Sequence, residues 1–259
     1  MIINRTKWGS WEAVKYSAGN CELIAGISAG PRILSLRYRN GDNLLHEDKT
    51  DFGVGDWRIY GGHRFSTAPE NDESYYPDNA PCAVEIAQDK LLIRAPQRPN
   101  GLRLSLLIAA AAGEEGFDIQ HILENEGDAA WEGALWAITC VPRAAKMMAG
   151  CTAQNIHCWP GTDLLNWQVV GGQMTVQPGD FSGKTGWYEA FPRLAAIQPQ
   201  GTLVIQSPDK VAAGDCTDNG CNVEVFVCAG FMELETLGGK HLIAPGSGAL
   251  HVQQWRLFP

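Results

Sequence analysis

Residues 60–70 read YGGHRFSTAPE, where a histidine and an arginine follow two glycines and a Pro-Glu pair closes the run. His63 is the one side chain there whose ordinary pKa lies near neutrality, so it suits proton transfer at physiological pH. Arg64 is a fixed cation with a planar fork of donors that matches a sugar or carboxylate oxygen. Glu70 either joins that chemistry or pairs with Arg64 and makes the segment a folded corner. Far along the chain, MELET places Glu233 and Glu235 two residues apart, on one face if the backbone is extended. Two carboxyls buried side by side push one pKa upward, which separates a general acid from a general base. On an exposed edge the same pair is only solvated.

Other residues fit a sugar ligand. Nine tryptophans are present, and Trp57, Trp136, Trp159, Trp167 and Trp187 fall near turns or among glycines. An indole offers a flat apolar face and one donor, which complements the C–H face and hydroxyl rim of a sugar, although the same residues also dominate cores. Lys184 in FSGKTGWYEAF sits in a glycine-flanked stretch beside Trp187, as a ligand contact or a solvated lysine. Asp78 and Asn79 in YYPDNAP either touch a ligand or form an Asx turn before Pro81. If Arg64 and Lys184 both face a cavity, the ligand is expected to be an anionic sugar such as a uronate or a sugar phosphate.

Several other chemistries are excluded. GISAG (26–30) has the G-x-S-x-G spacing, but Pro31 and a strand-like run follow it instead of the helix a Ser28 nucleophile needs. GVGDWR lacks the third glycine of a dinucleotide loop. The six histidines include no pair at i, i+4. Four residues separate Cys216 from Cys221 and six separate Cys151 from Cys158, wider than zinc sites use, so the eight cysteines read as free thiols of a reducing, cytoplasmic setting. No metal and no cofactor is expected. The acidic turn AGDCTDNG, which could offer oxygens to calcium, reads as a hairpin corner. A net charge of −9 opposes nucleic-acid binding. The longest apolar stretch, LSLLIAAAAG (104–113), is too short to span a bilayer as a helix, and the N-terminus has no secretory-signal pattern.

The elements that must position these residues are strands. LRLSLLI puts Leu102, Leu104, Leu106 and Ile108 on one face; NVEVFVC alternates Val223, Val225 and Val227 with Glu224, Phe226 and Cys228; ALHVQQWRLF closes the chain in the same manner. His121 and His251 fall within such runs and read as strand residues. Between the runs lie RNGDN, NEGD, QPGD, QPQG, TDNG and APGSG, drawn from 29 glycines and 14 prolines. Helical period is nearly absent; EDKTDFGVGDW and RAAKMMAG allow single turns at most. The pattern predicts a large antiparallel all-β sandwich or barrel, organised as one domain over 1–259.

Three ordered segments carry a family resemblance. LIAGISAGPRILSLRYRNGDNLLHE resembles the opening of the galactose mutarotase-like proteins, ILENEGDAAWEGALWAIT their strand, Asn-x-Gly, strand element, and FMELETLGGKHLIAPGSGALHVQQWRLF their closing segment. YGGHRFSTAPE with YYPDNAPC resembles the signature of one branch of that superfamily. The resemblance implies a β-supersandwich and a small carbohydrate ligand. In its aldose 1-epimerases a glutamate of the Leu-Glu-Thr strand takes the proton from the anomeric hydroxyl while a histidine protonates the ring oxygen. The ring opens, the C1–C2 bond rotates, and closure gives the other anomer. By position Glu235 corresponds to the base. Two departures stand out. The family's histidine precedes its glycine pair, whereas His63 follows Gly61 and Gly62; and Trp136-Ala137 occupy the place of a second histidine. The acid role therefore passes to His63, with Arg64, Glu70, Asp78, Asn79, Trp136, Lys184, Trp187 and Glu233 around the ligand. A carbohydrate-binding protein without catalysis, and a lyase or hydrolase of a sugar acid, are the alternatives.

Overall fold

The computed structural model describes residues 1–48, 56–152 and 155–259. Among these residues there are 21 strands and three short 3-10 helices, with no α-helix. Every strand pairing is antiparallel, in one sheet of 11 strands and one of 10. The period-two runs are where they were predicted: Leu102–Ala110, Val223–Val227 and Gly248–Phe258 are strands. RAAKMMAG contains the strand Lys146–Gly150 instead of a helical turn. AGDCTDNG is a corner containing the 3-10 turn Ala213–Asp215 and an Asp218–Cys221 bridge. Most of EDKTDFGVGDW lies outside the described residues.

The core lies between the sheets, where Leu23, Leu36, Phe65 and Leu234 of one meet Leu104, Phe117 and Trp255 of the other. Removing these side chains from water supplies the main driving force, about 1.5–3 kcal/mol for each large one. The centre of the 11-stranded sheet runs Arg32–Tyr38, His63–Ala68, Trp131–Pro142, Phe231–Leu237, Val223–Val227, Gly183–Trp187. Its members come from all parts of the chain, so they bring distant residues together.

Within YGGHRFSTAPE, His63–Ala68 is a regular, fully buried strand, not the folded corner that an Arg64–Glu70 pair would make. The two glycines have a steric reason. Gly61 and Gly62 adopt φ of +66° and +67°, the left-handed region that favours glycine. A Cβ on Gly62 would stand 2.1 Å from the Ile33 carbonyl oxygen. The glycines let the chain pass tightly against the Arg32–Tyr38 strand and enter the sheet.

Candidate active site

Side chains alternate across a strand, and residues paired in register share a face. In this sheet Arg64 pairs with Ile138, Ile138 with Glu235, and Glu235 with Glu224. One residue pair along, Cys140 pairs with Glu233, Glu233 with Phe226, and Phe226 with Lys184. These two rows lie on the face turned away from the sandwich interior. The interior face carries Phe65, Ala137, Leu234 and Val225 instead.

That outer face floors a cleft of about 730 Å³, a size suited to a small molecule. Trp57, Tyr75, Trp136, Trp159, Phe226 and Phe231 make its apolar walls. Glu70, Lys184 and Glu233 are its charged lining. Beneath Trp136 and Lys184 lies Glu235, which is fully buried.

Lys184 organises the floor. Its ammonium stands 2.7 Å from Glu224 Oε2 and 3.4 Å from both Glu235 Oε2 and Glu70 Oε2. It also sits 4.7 Å from the Trp136 ring centre and 4.8 Å from that of Trp159, between two indole faces. Its backbone is fixed by Thr162, whose Oγ1 accepts from Lys184 N at 2.8 Å and donates to Lys184 O at 2.9 Å. Burial works against the ammonium, but Glu235 and then Glu224 outweigh it and hold the lysine above its ordinary pKa. Lys184 is therefore a permanent cation, not a proton donor at neutral pH.

The carboxyls differ. Glu235 Oε2 accepts from Trp136 Nε1 at 2.7 Å, and its Oε1 has no hydrogen-bond partner. Glu233 sits at the cleft wall, 9% exposed, with its Oε1 accepting from Cys140 Sγ at 3.5 Å. Burial, then repulsion from Glu235, raises its pKa to about 7. Glu224, also fully buried, is pushed well above the carboxylate range by burial and then by Glu235. The tyrosine Tyr75 donates its hydroxyl to Glu70 at the rim.

His63 is not in this cleft. His63 and its strand neighbour Arg64 point to opposite faces, and His63 is fully buried between the sheets. There His121 Nδ1 contacts the His251 carbonyl at 2.8 Å, so in the neutral ring Nδ1 donates and Nε2 is an acceptor. His63 Nε2, 2.8 Å away, must then carry the proton, and His63 Nδ1 accepts from Thr139 Oγ1 at 2.9 Å. Burial first, then His121, Arg64 and His251, keep His63 well below the usual histidine pKa. It faces away from the cleft and stays a neutral imidazole whose one proton is committed to His121, so it does not serve as the acid. His63→Leu is expected to cost about 1–3 kcal/mol by stranding His121 Nε2 and the Thr139 hydroxyl. Urea denaturation would read that loss, while any activity per folded molecule stays unchanged.

Other expectations change as well. Arg64 is buried and lies under Trp57, 5.0 Å from its ring centre, and does not pair with Glu70, which is bound to Lys184 and Tyr75. Trp187 belongs to the core, donating to the Gly150 carbonyl at 2.8 Å. Asp78 is paired with Arg98, and Asn79 Oδ1 accepts from the Tyr60 hydroxyl at 3.1 Å; neither lines the cleft. Ser28 Oγ accepts from Glu12 N at 2.8 Å in a loop between strands, consistent with its rejection as a nucleophile. Glu235, Glu233, Trp136 and Lys184 do come together. Sequence reasoning missed Glu224, Tyr75, Phe226 and Phe231. Glu224 had a signal: a carboxylate in the middle of an apolar alternation is either at an exposed surface or in a site. Among the described residues no group of three or more histidine, cysteine or acidic side chains is arranged to hold a metal ion.

The sequence matches no family model and no curated protein. Solved structures do resemble it. A protein assigned provisionally as an aldose 1-epimerase from Klebsiella pneumoniae subsp. pneumoniae MGH 78578 superposes with a TM-score of 0.66 at 10% identity, over 96% of this chain and 79% of that one. The Slr1438 protein of Synechocystis sp. PCC 6803 gives 0.61 at 12% identity, over 99% and 96%. A galactose mutarotase-like protein from Lactobacillus casei ATCC 334 gives 0.57 at 10% identity, over 95% and 99%. At such identities the likeness concerns the fold: this chain has the galactose mutarotase-like β-sandwich.

Proposed function

We propose that the cleft binds a monosaccharide and that the protein is a sugar isomerase of the mutarotase type, with Glu235 as general base and Glu233 as general acid. One observation carries this reading. Two carboxyls lie two residues apart on the cleft face in opposite environments: Glu235 accepts from an indole N–H and lies beside an ammonium, whereas Glu233 is shifted to about 7. Carboxyl pairs split in this way divide the acid and base work of a reaction at neutral pH. Glu235 takes the proton of the anomeric hydroxyl through its free Oε1 after Trp136 yields. Glu233 gives its proton to the ring oxygen. The C1–O5 bond breaks, C1 becomes an aldehyde, and closure on the other face reverses both transfers. The tryptophans stack on the C–H faces of the ring.

The charge balance supports a neutral sugar. Lys184 is surrounded by Glu70, Glu224 and Glu235, with Glu233 beside them, so among the described residues the cleft lining offers no free cation to a uronate or a sugar phosphate. The expectation of an anionic ligand was conditional on Arg64 and Lys184 both facing the cavity; Arg64 does not line the cleft, and Lys184 lines it already paired.

The test is exchange NMR between the anomers of a panel of neutral sugars, with uncatalysed exchange subtracted. The acid must be protonated, so the catalysed rate is expected to fall as pH rises through about 7, the value to which Glu233 is raised. Glu233→Gln should remove that titration together with most of the rate. A wild-type rate without a step near 7 would take the acid role away from Glu233. Trp136 favours a second reading, a carbohydrate-binding protein without catalysis, since an indole cannot release its proton and this one covers Glu235. Saturable quenching of tryptophan fluorescence by a sugar that shows no catalysed exchange would select it.

A further inference from the structure

Next to the cleft, on the other side of Trp57, three arginines converge on one nook. Arg32, Arg64 and Arg98 line it with Ser66, Ser74 and Asp78. They are only 2%, 7% and 4% exposed. Each guanidinium is laid against an aromatic ring: Arg32 at 4.9 Å from the Tyr60 centre, Arg64 at 5.0 Å from Trp57, Arg98 at 5.3 Å from Tyr76. Among the described residues Asp78 is the one carboxylate lining the nook, and it is engaged by Arg98 through Nε at 3.1 Å and through Nη2. Among the described residues the nook itself sets three guanidiniums against one carboxylate; Asp78 also acts on Arg32, and Arg64 feels Glu233 from the cleft side, but the lining carries an excess of buried positive charge. Three of their donors, Arg32 Nε, Arg64 Nε and Arg98 Nη1, are buried with no hydrogen-bond partner.

Such an arrangement is costly unless something occupies it. Its free volume is about 10 Å³, room for one body of about the size of water. Water is a poor match. It brings two donors of its own to three guanidiniums that offer no acceptor, leaving them to the Asp78 carboxylate and the serine oxygens, and it carries no charge to offset the arginines. The serine hydroxyls already donate elsewhere, Ser66 to the Ser74 carbonyl at 2.6 Å and Ser74 to the Thr67 carbonyl at 2.7 Å. A monatomic anion only accepts, and it supplies the missing charge. Mutual repulsion is also visible in Arg32, which burial and then Arg64 lower to about 10.

We propose that this nook is a binding site for a single chloride-sized anion held by Arg32, Arg64 and Arg98. The ion neutralises the cluster and fixes Arg64, and with it Trp57, the wall that the nook shares with the cleft. The site stands on its own observations and does not depend on the activity proposed for the cleft.

Two measurements on the full chain test it. Thermal unfolding in sodium chloride is compared with sodium gluconate and sodium methanesulfonate at matched ionic strength. Chloride is expected to raise Tm in a saturable manner by about 3 °C over the two larger anions, and Arg32→Gln should abolish that difference. Crystals soaked in bromide should show an anomalous peak between the three guanidiniums. Equal melting in all three salts would overturn the site, whether no bromide peak appears or a peak marks an adventitious ion only. The bromide experiment uses the wild-type protein, so it stands even if Arg32→Gln fails to fold.

Discussion

Glu235→Gln is expected to lower catalysed anomer exchange by about 10²–10⁴-fold, the share a positioned proton acceptor contributes. The change keeps shape and volume, and the glutamine oxygen can still accept from Trp136 Nε1, which lies 2.7 Å from the carboxylate in the wild type. What disappears is the negative charge and the ability to take a proton. Sugar affinity should move little, because the stacking walls of Trp57, Trp136 and Trp159 are untouched. Exchange NMR gives the rate, tryptophan quenching gives the affinity, and near-UV circular dichroism checks the packing. If Glu235→Gln exchanges sugars as fast as wild type while Glu233→Gln does not, the proton traffic runs through Glu233 alone. If neither variant differs from wild type, the isomerase reading is lost.

Lys184→Met is expected to destabilise the fold by about 3–5 kcal/mol, the cost of removing one partner from a buried ionic group. Methionine fills much the same space, so the loss is chiefly electrostatic. Glu224 and Glu235 are both fully buried, and Lys184 stands 2.7 Å from the first and 3.4 Å from the second. Without it, two carboxyls paired in register on neighbouring strands face each other with no cation between them. The two indole faces also lose a cation worth about 0.5–2 kcal/mol. Adding Glu224→Gln removes one of the two buried carboxyls and its conflict with Glu235, so the double variant should recover a large part of the loss. Urea denaturation at neutral pH measures both. A single variant within 1 kcal/mol of wild type, or a double variant no better than the single, would show that Lys184 does not hold this floor together.

Much of the site was legible because strands write their faces into the sequence. The two-residue spacing in MELET puts Glu233 and Glu235 on one side, and the alternation in NVEVFVC puts Glu224 with Phe226 opposite the valines; only the neighbouring strands show that these sides form one cleft floor. The error at His63 has the same origin. Setting His63 and Arg64 around one ligand needs a backbone that lets consecutive side chains point together, as an irregular segment can. His63–Ala68 is a strand, so adjacency alone sends His63 and Arg64 to opposite faces. The glycines serve the passage against Ile33 just before the strand begins.

By itself the sequence determined the class of fold, the parity of its strands and the presence of carboxyls, tryptophans and a lysine able to handle a sugar. Those are local properties, set by side-chain period and turn chemistry. Which strands become neighbours was decided only in three dimensions. The Trp131–Pro142 strand lies between His63–Ala68 and Phe231–Leu237, so Trp136 reaches Glu235 from 99 residues away. The same sheet order sets Lys184 among three carboxylates and turns an apparent anion-binding lysine into their counter-ion. Charge compensation depends on distance and burial, and both are created by the pairing of remote segments. Spacing along the chain carries no record of either.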